Sequence, residues 1–203
     1  MTGPATAAAA VYLTLAGGQY LFRDGLEPHR HILSLAENGT HGWIQVTNFL
    51  LTGALTVLAA AGMRRAAPPG DGPGWAPYLI GIYGLGLVGA GIFRADPGGG
   101  FPPGTPDGVP EVTVQGAAHF AVAGIGFVAV IAAAFVMARR YRRAGRPGLR
   151  AYSVAAGTAL LLAWVGLSAA PTQATTLLFV AAALHASVWT AVVVARPSGE
   201  VRA

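Results

Sequence analysis

The chain reads as an all-α, polytopic integral membrane protein, six transmembrane helices forming one bundle and one domain over residues 1–203. Three observations point there. The 203 residues are 54% hydrophobic and only 10% charged, whereas a soluble domain carries about 25% charged residues. Six apolar segments approach the ~20 residues a helix needs to cross a hydrocarbon core of about 30 Å. The arginines stand in short runs beside those segments, a pattern of membrane orientation rather than of nucleic-acid binding.

Residue types that are missing narrow the chemistry. Cysteine is absent, which excludes disulfides, thiolate metal sites and thiol catalysis. Lysine is absent too, so all thirteen basic residues are arginine. That excludes a lysine Schiff base, a retinal linkage included, and a lysine general base.

The first segment, about 7–22, has no basic start and no signal-peptidase-like end, and is expected to be a retained, short helix. The second, 43–63, stops at Arg64-Arg65, and the third covers 75–93. The fourth covers 114–138, before the run RRYRR. The fifth covers 152–170, and the sixth covers 172–195 after a tight turn at Pro171. In lipid every backbone polar group must be paired internally, so all six are expected to be helices. Gly81, Gly84, Gly86, Gly89 and Gly91 in the third segment allow close helix–helix contact. Their GxGxxG-like spacing lies inside a membrane helix, not at a strand-to-helix turn, and carries no nucleotide-binding meaning.

Arginine placement sets the expected topology. Arg64, Arg65, Arg139, Arg140, Arg142, Arg143, Arg146, Arg150, Arg196 and Arg202 fall on one side, and Arg23, Arg30 and Arg94 on the other. The positive-inside rule then puts both termini in the cytoplasm of a multi-pass inner (plasma) membrane protein. The outer loops 23–42 and 94–113 receive Asp24, Glu27, Glu37, Asp96, Asp107 and Glu111, six of the eight acids.

Three stretches carry a family resemblance: EPHRHILSLAENGTHGWIQVTNFLLTG, GLGLVGAGIFRADPGGGFPPGTPDGVP and VQGAAHFAVAG. In order and in topology, over most of residues 26–130, they resemble the membrane-protein family called domain of unknown function 998. The resemblance implies six helices with polar outer loops, and it implies no settled activity. By it, Glu27, Pro28, Arg30, Ser34, Gly42, Trp43, Asn48, Asp96 and His119 occupy family positions. His29, His31, Glu37 and His41 depart from the family pattern, as does Arg94 where the family has Pro.

Several groups are candidates for chemistry. Asp96 and His119 close the third helix and open the fourth, so in an antiparallel hairpin their side chains could meet as a general acid–base pair. The competing reading is a structural hydrogen bond. Glu37, desolvated against aromatic rings, could stay protonated near neutral pH and donate a proton; in water it would be an ordinary loop acid. His41 and His31 cluster near it in sequence. His29, His31, His41, Glu27 and Glu37 could alternatively ligate a metal, although no metalloenzyme motif is present. His119 and His185 could flank a haem, although their depths match poorly. A hydrogen-bonded core histidine is the plainer reading of His185.

Two functions from different classes follow. The first is an integral-membrane enzyme that takes a lipophilic substrate from the bilayer into an outer-side pocket. Glu37 or Asp96 would donate the proton, His119 or His41 would orient it, and Arg30 or Arg94 would anchor the substrate electrostatically. Ser34, Trp43, Asn48, Phe93 and Trp164 would help bind it. Protonation-initiated isoprenoid cyclisation fits such a site, needing one acid, aromatic walls, no cofactor and no metal. The second is a non-enzymatic transporter or lipid- or solute-binding membrane protein. The expected partner in both is a membrane lipid or lipophilic small molecule, not nucleic acid.

Overall fold

A computed structural model describes residues 2–66, 74–108 and 111–196. Each apolar run folds as a helix, the form in which a chain segment satisfies its own backbone polar groups. The first rod joins α1 (Thr2–Tyr12), a π-helical stretch (Leu13–Gly17) and α2 (Gly18–Phe22), continuous through helical dihedrals at Tyr12, Gly17 and Gly18. There follow α3 (Gly42–Arg65), α4 (Ala76–Ile92), α5 (Val114–Arg143), α6 (Pro147–Ala169) and α7 (Gln173–Ala195). Four of them, α3, α5, α6 and α7, are long and apolar enough to cross a membrane, and α4 is a shorter apolar helix. Large apolar side chains such as Leu58, Leu85, Ile125, Leu162 and Leu178 lie exposed on the outside of these helices, as they would in a multi-pass membrane protein facing lipid.

The helix ends differ from those expected at three places. The first rod begins at Thr2 and changes to π-helical pitch at Leu13. The fourth rod continues through the arginine run to Arg143, where long charged stems can lie along the helix while their heads reach water. The fifth begins at Pro147 rather than 152, because proline's fixed φ and missing N–H suit the first helical turn.

Each rod packs against its chain neighbour, and α7 returns to α1, so the six rods close a ring in sequence order. Glycines bring the backbones together where the sequence implied. A Cβ added to Gly53 would stand 2.6 Å from the Gly84 carbonyl oxygen, and one added to Gly86 would stand 2.9 Å from the Gly126 Cα. These contacts fasten α3 to α4 and α4 to α5.

The two ends of the ring differ. At one end Ala5, Ala59 and Val194 pack together, the Arg64 guanidinium lies 4.9 Å over the Tyr78 ring, and the Tyr141 hydroxyl donates to the Arg196 carbonyl. The half of the bundle beside this arginine-rich end is filled by Val130, Ala133, Met137, Trp189 and Val193, all buried. Segments 23–41, 93–108, 111–113 and 170–172 gather at the opposite end. Trp43 (63% exposed) begins α3 at that end, and Trp75 (74% exposed) begins α4 at the arginine end. This is the placement of aromatic belts at two membrane interfaces.

Candidate functional site

The segment after α2 is a folded cap rather than a loose loop. Gly25 and Gly39 take positive φ and turn the chain around a short 3₁₀ helix, Leu33–Glu37. The Arg23 guanidinium donates to the Ala36 and Asn38 carbonyls and to the Gln19 side-chain oxygen, and it lies 5.0 Å over the Phe101 ring. Asn38 donates to the carbonyls of Leu35 and Ala95, and Tyr20 donates to that of His31. A Cβ on Gly42 would overlap the Glu37 carbonyl oxygen. Only glycine lets the cap fold back this closely onto the start of α3.

His31 locks the cap to the second loop. Its Nδ1 accepts from the Glu27 N–H (3.0 Å), so Nε2 carries the hydrogen and donates to the Gly99 carbonyl (2.9 Å). Arg30 pairs with Asp107 at 2.9 Å and approaches Glu27 at 4.0 Å.

The central pair of the site is Glu37 with His119, the latter on the second turn of α5. Both side chains are buried, and the Glu37 Oε2 lies 3.3 Å from His119 Nδ1. Oε2 also accepts from the Ala95 N–H at 2.9 Å, while Oε1 is buried without a partner among the described residues. Burial disfavours the carboxylate and pushes the Glu37 carboxyl up to about 8, against the opposing effects of the Ala95 N–H and the Arg94 charge. His119 Nδ1 additionally stands 2.7 Å from the Phe93 carbonyl and 3.1 Å from that of Ala90. Carbonyl oxygens only accept, so Nδ1 carries the hydrogen and Nε2 keeps a free lone pair.

Asp96 and His119 do not form the hydrogen-bonded pair that their sequence positions suggested. Asp96 Oδ2 accepts from the Thr113 N–H (2.9 Å) and Oδ1 from the Thr113 hydroxyl (2.6 Å). The Thr113 hydroxyl in turn accepts from the Gly116 N–H and caps α5. Asp96 thus belongs to a capping arrangement at a helix N-terminus, where a negative charge is favoured.

A cavity of about 420 Å³ opens inside the ring next to this pair. Arg30, Ser34, Asp96, Gly98, Gly99 and His119 line its polar end. Tyr12, Phe49, Tyr83, Leu87, Phe127 and Phe179 belong to its apolar wall, and Trp164 faces it from α6. Phe120, Ser168 and Pro171 line it and are exposed, so the rim is open at the upper ends of α5, α6 and α7. The filled half around Met137 and Trp189 leaves it blind toward the arginine end.

The expected site residues divide accordingly. Arg30, Ser34, Asp96, His119 and Trp164 line the cavity, and Glu37 stands directly behind His119. Trp43, Phe93, Arg94 and His41 are exposed and outside the lining. Asn48 is buried in a separate polar ladder: Gln19 donates to Gln45, Asn48 donates to Gln45, and Thr52 donates to Asn48. Gln19 and Gln45 were visible in the sequence as polar residues within apolar segments, and reading for intramembrane polar groups would have found them. The cavity-lining Tyr83, Gly86, Leu87 and Ala90 follow a helical stripe, which in an all-apolar helix does not distinguish a cavity wall from a packed face.

The metal and haem alternatives meet a different geometry. His31 has both nitrogens engaged, His29 pairs with Glu27 at 3.4 Å, and His41 stands exposed at the start of α3. Among the described residues no group of three or more metal-ligating side chains forms. His185 Nε2 shares a 3.0 Å hydrogen bond with the Tyr152 hydroxyl, and His185 does not line the cavity that His119 lines, so the two histidines do not face one haem.

No match is found among curated proteins or among solved structures. A family profile described as "Protein of unknown function (DUF998)" matches residues 6–196. With nearly the whole helical bundle and both polar loops inside that match, the chain belongs to the DUF998 family.

Proposed function

We propose that this protein is an integral-membrane enzyme that draws a lipophilic molecule from the bilayer and performs proton transfer on it at His119. The single observation that carries the reading is the division of labour on that imidazole. Nδ1–H is held by the Phe93 and Ala90 carbonyls with Glu37 beside it, while the ring lines an apolar cavity. A histidine oriented through one nitrogen and open at the other can take a proton from a bound molecule and return it elsewhere. The ionised form of Glu37, the minor one below about pH 8, stabilises the imidazolium formed in between, as an acidic partner does in a catalytic triad. In this reading Glu37 positions His119 and sets its charge, and Asp96 serves the α5 cap and the polarity of the cavity mouth. In the orientation that the arginines favour, the mouth would open on the outer side of the cell membrane.

Isoprenoid cyclisation is the narrower form of this proposal. In it the imidazolium form of His119 would give its Nε2 proton to a double bond of the substrate and then take a proton back from the cyclised cation, so that substrate and product are isomers. The aromatic rings of Phe127, Trp164 and Phe179 suit the cationic intermediate. Through-transport draws less support, because buried Met137, Trp189 and Val193 fill the bundle on the arginine side. The test compares lipid extracts of membranes containing the wild type, His119→Gln or Glu37→Gln by mass spectrometry. Wild-type membranes should show a lipophilic compound consumed and its isomer formed, with both variants slowed at least about a hundredfold. Identical lipid profiles for all three would sink the enzymatic reading.

A further inference from the structure

From the hydrogen-bonding character of the cavity's polar end, we infer that its occupant is an uncharged lipophile ending in a hydroxyl group, not a fatty acid or a lipid phosphate. The inference rests on the cavity reading above and specifies what the cavity takes.

Three features carry it. The first is the tautomer of His119. Two carbonyl oxygens crowd Nδ1, so the hydrogen is fixed there and Nε2 is an acceptor. Among the described residues Nε2 has no protein partner, yet it is not one of the sealed, unpartnered polar atoms. An acceptor opening onto an apolar cavity calls for a donor on the ligand, because leaving it unmet forfeits a hydrogen bond in a place poor in water. The second feature is Ser34, buried in the same lining and likewise without a protein partner among the described residues. Its hydroxyl can donate to the ligand oxygen. An acceptor and a donor in one lining together match an alcohol, which is both.

The third feature is charge. Asp96 lines the polar end, and among the described residues no cation pairs with it; its oxygens are held by Thr113 alone. The cation in the lining, Arg30, is already neutralised by Asp107 at 2.9 Å, with Glu27 at 4.0 Å. A carboxylate or phosphate entering here would meet an unneutralised carboxylate at low dielectric and no free guanidinium among the lining residues. A neutral head meets neither penalty.

The experiment uses the full chain in lipid nanodiscs and measures retention of tritiated farnesol. The competitors are unlabelled farnesol, its methyl ether, farnesyl phosphate and farnesoic acid. The ether keeps the chain and the oxygen but loses the donor. Unlabelled farnesol is expected to compete about tenfold better than the ether, the size of one neutral hydrogen bond, and better than either anion. In His119→Phe that preference for alcohol over ether should vanish while the ether still competes. Should that variant fail to fold, the wild-type comparison decides alone. Equal competition by alcohol and ether, or stronger competition by phosphate or acid, overturns the inference and leaves the lipophile-binding cavity standing. Absence of saturable retention for every probe overturns both.

Discussion

At the scale of single residues, Glu37 holds the sharpest physical contradiction in the molecule. It is a carboxyl buried to 1% exposure with one oxygen unpartnered among the described residues, whereas Asp24, Asp107 and Glu111 are exposed. The consequence for stability has a definite sign. The group's proton is held to about pH 8 in the fold, against 4.5 for a carboxyl of the same kind in water. Below 4.5 both folded and unfolded chains hold it and nothing changes with pH. Between those values only the unfolded chain ionises, so stability falls as pH rises, and above about 8 the loss is complete. Thermal unfolding in detergent from pH 4.5 to 8 should therefore show a decline on the order of a few kcal/mol. Glu37→Gln keeps the acceptor for the Ala95 N–H and should flatten the decline. A variant with the wild-type slope would show that another group titrates. Asp96 acts differently. Asp96→Ala strips both acceptors from Thr113, and should lower stability by about 1–3 kcal/mol, read as an earlier melting transition.

At the scale of elements, the bundle depends on backbone approach more than on interlocking side chains. Gly53 and Gly84 face each other across α3 and α4 so closely that a methyl group on either would press on backbone of the opposite helix. Gly53→Ala is expected to cost about 1–3 kcal/mol, measured by thermal unfolding, whereas Gly81→Ala should cost little, because its Cβ would find only the Ala60 methyl at 3.7 Å. The π-helical stretch is the other element with a consequence. It starts immediately after Tyr12, whose ring lines the cavity, and such stretches recur near functional sites because they re-aim the side chains beside them.

At the scale of the whole molecule, a closed ring of six rods with one filled half and one hollow half makes a blind chamber under a hydrogen-bonded cap. Filling the chamber should remove its capacity without harming the fold. At Gly124 a Cβ would meet the Trp164 ring only at an ordinary 3.6 Å, so Gly124→Leu is expected to stay folded and lose most farnesol retention. Unchanged retention would place binding elsewhere. The chain's lack of cysteine makes its orientation directly testable. Thr40→Cys at the cap and Arg143→Cys at the arginine end, each exposed, should differ in intact cells. A membrane-impermeant maleimide should label the first and spare the second. The reverse pattern would invert the proposed topology.

Much of this architecture was legible along the chain, because length and apolarity of a segment are local properties that the bilayer requirement turns directly into helices. The glycines of α4 and the gathering of arginines at one end of the ring were readable for the same reason. The singling out of Glu37 and His119 also came from the chain, but their partnership did not. Far apart in the numbering, they meet only because the cap folds back over Gly42 while α5 brings its second turn under it. Asp96 was the nearer partner in sequence, and the Thr113 cap claims it instead. Histidine count likewise suggested a metal cluster. Yet whether an imidazole is a ligand, a latch or a base is set by what each nitrogen touches, and His31, His119 and His185 touch three different things. Helices follow from the solvent; the site follows from long-range contacts, in which each polar atom's partner is fixed by closure of the ring.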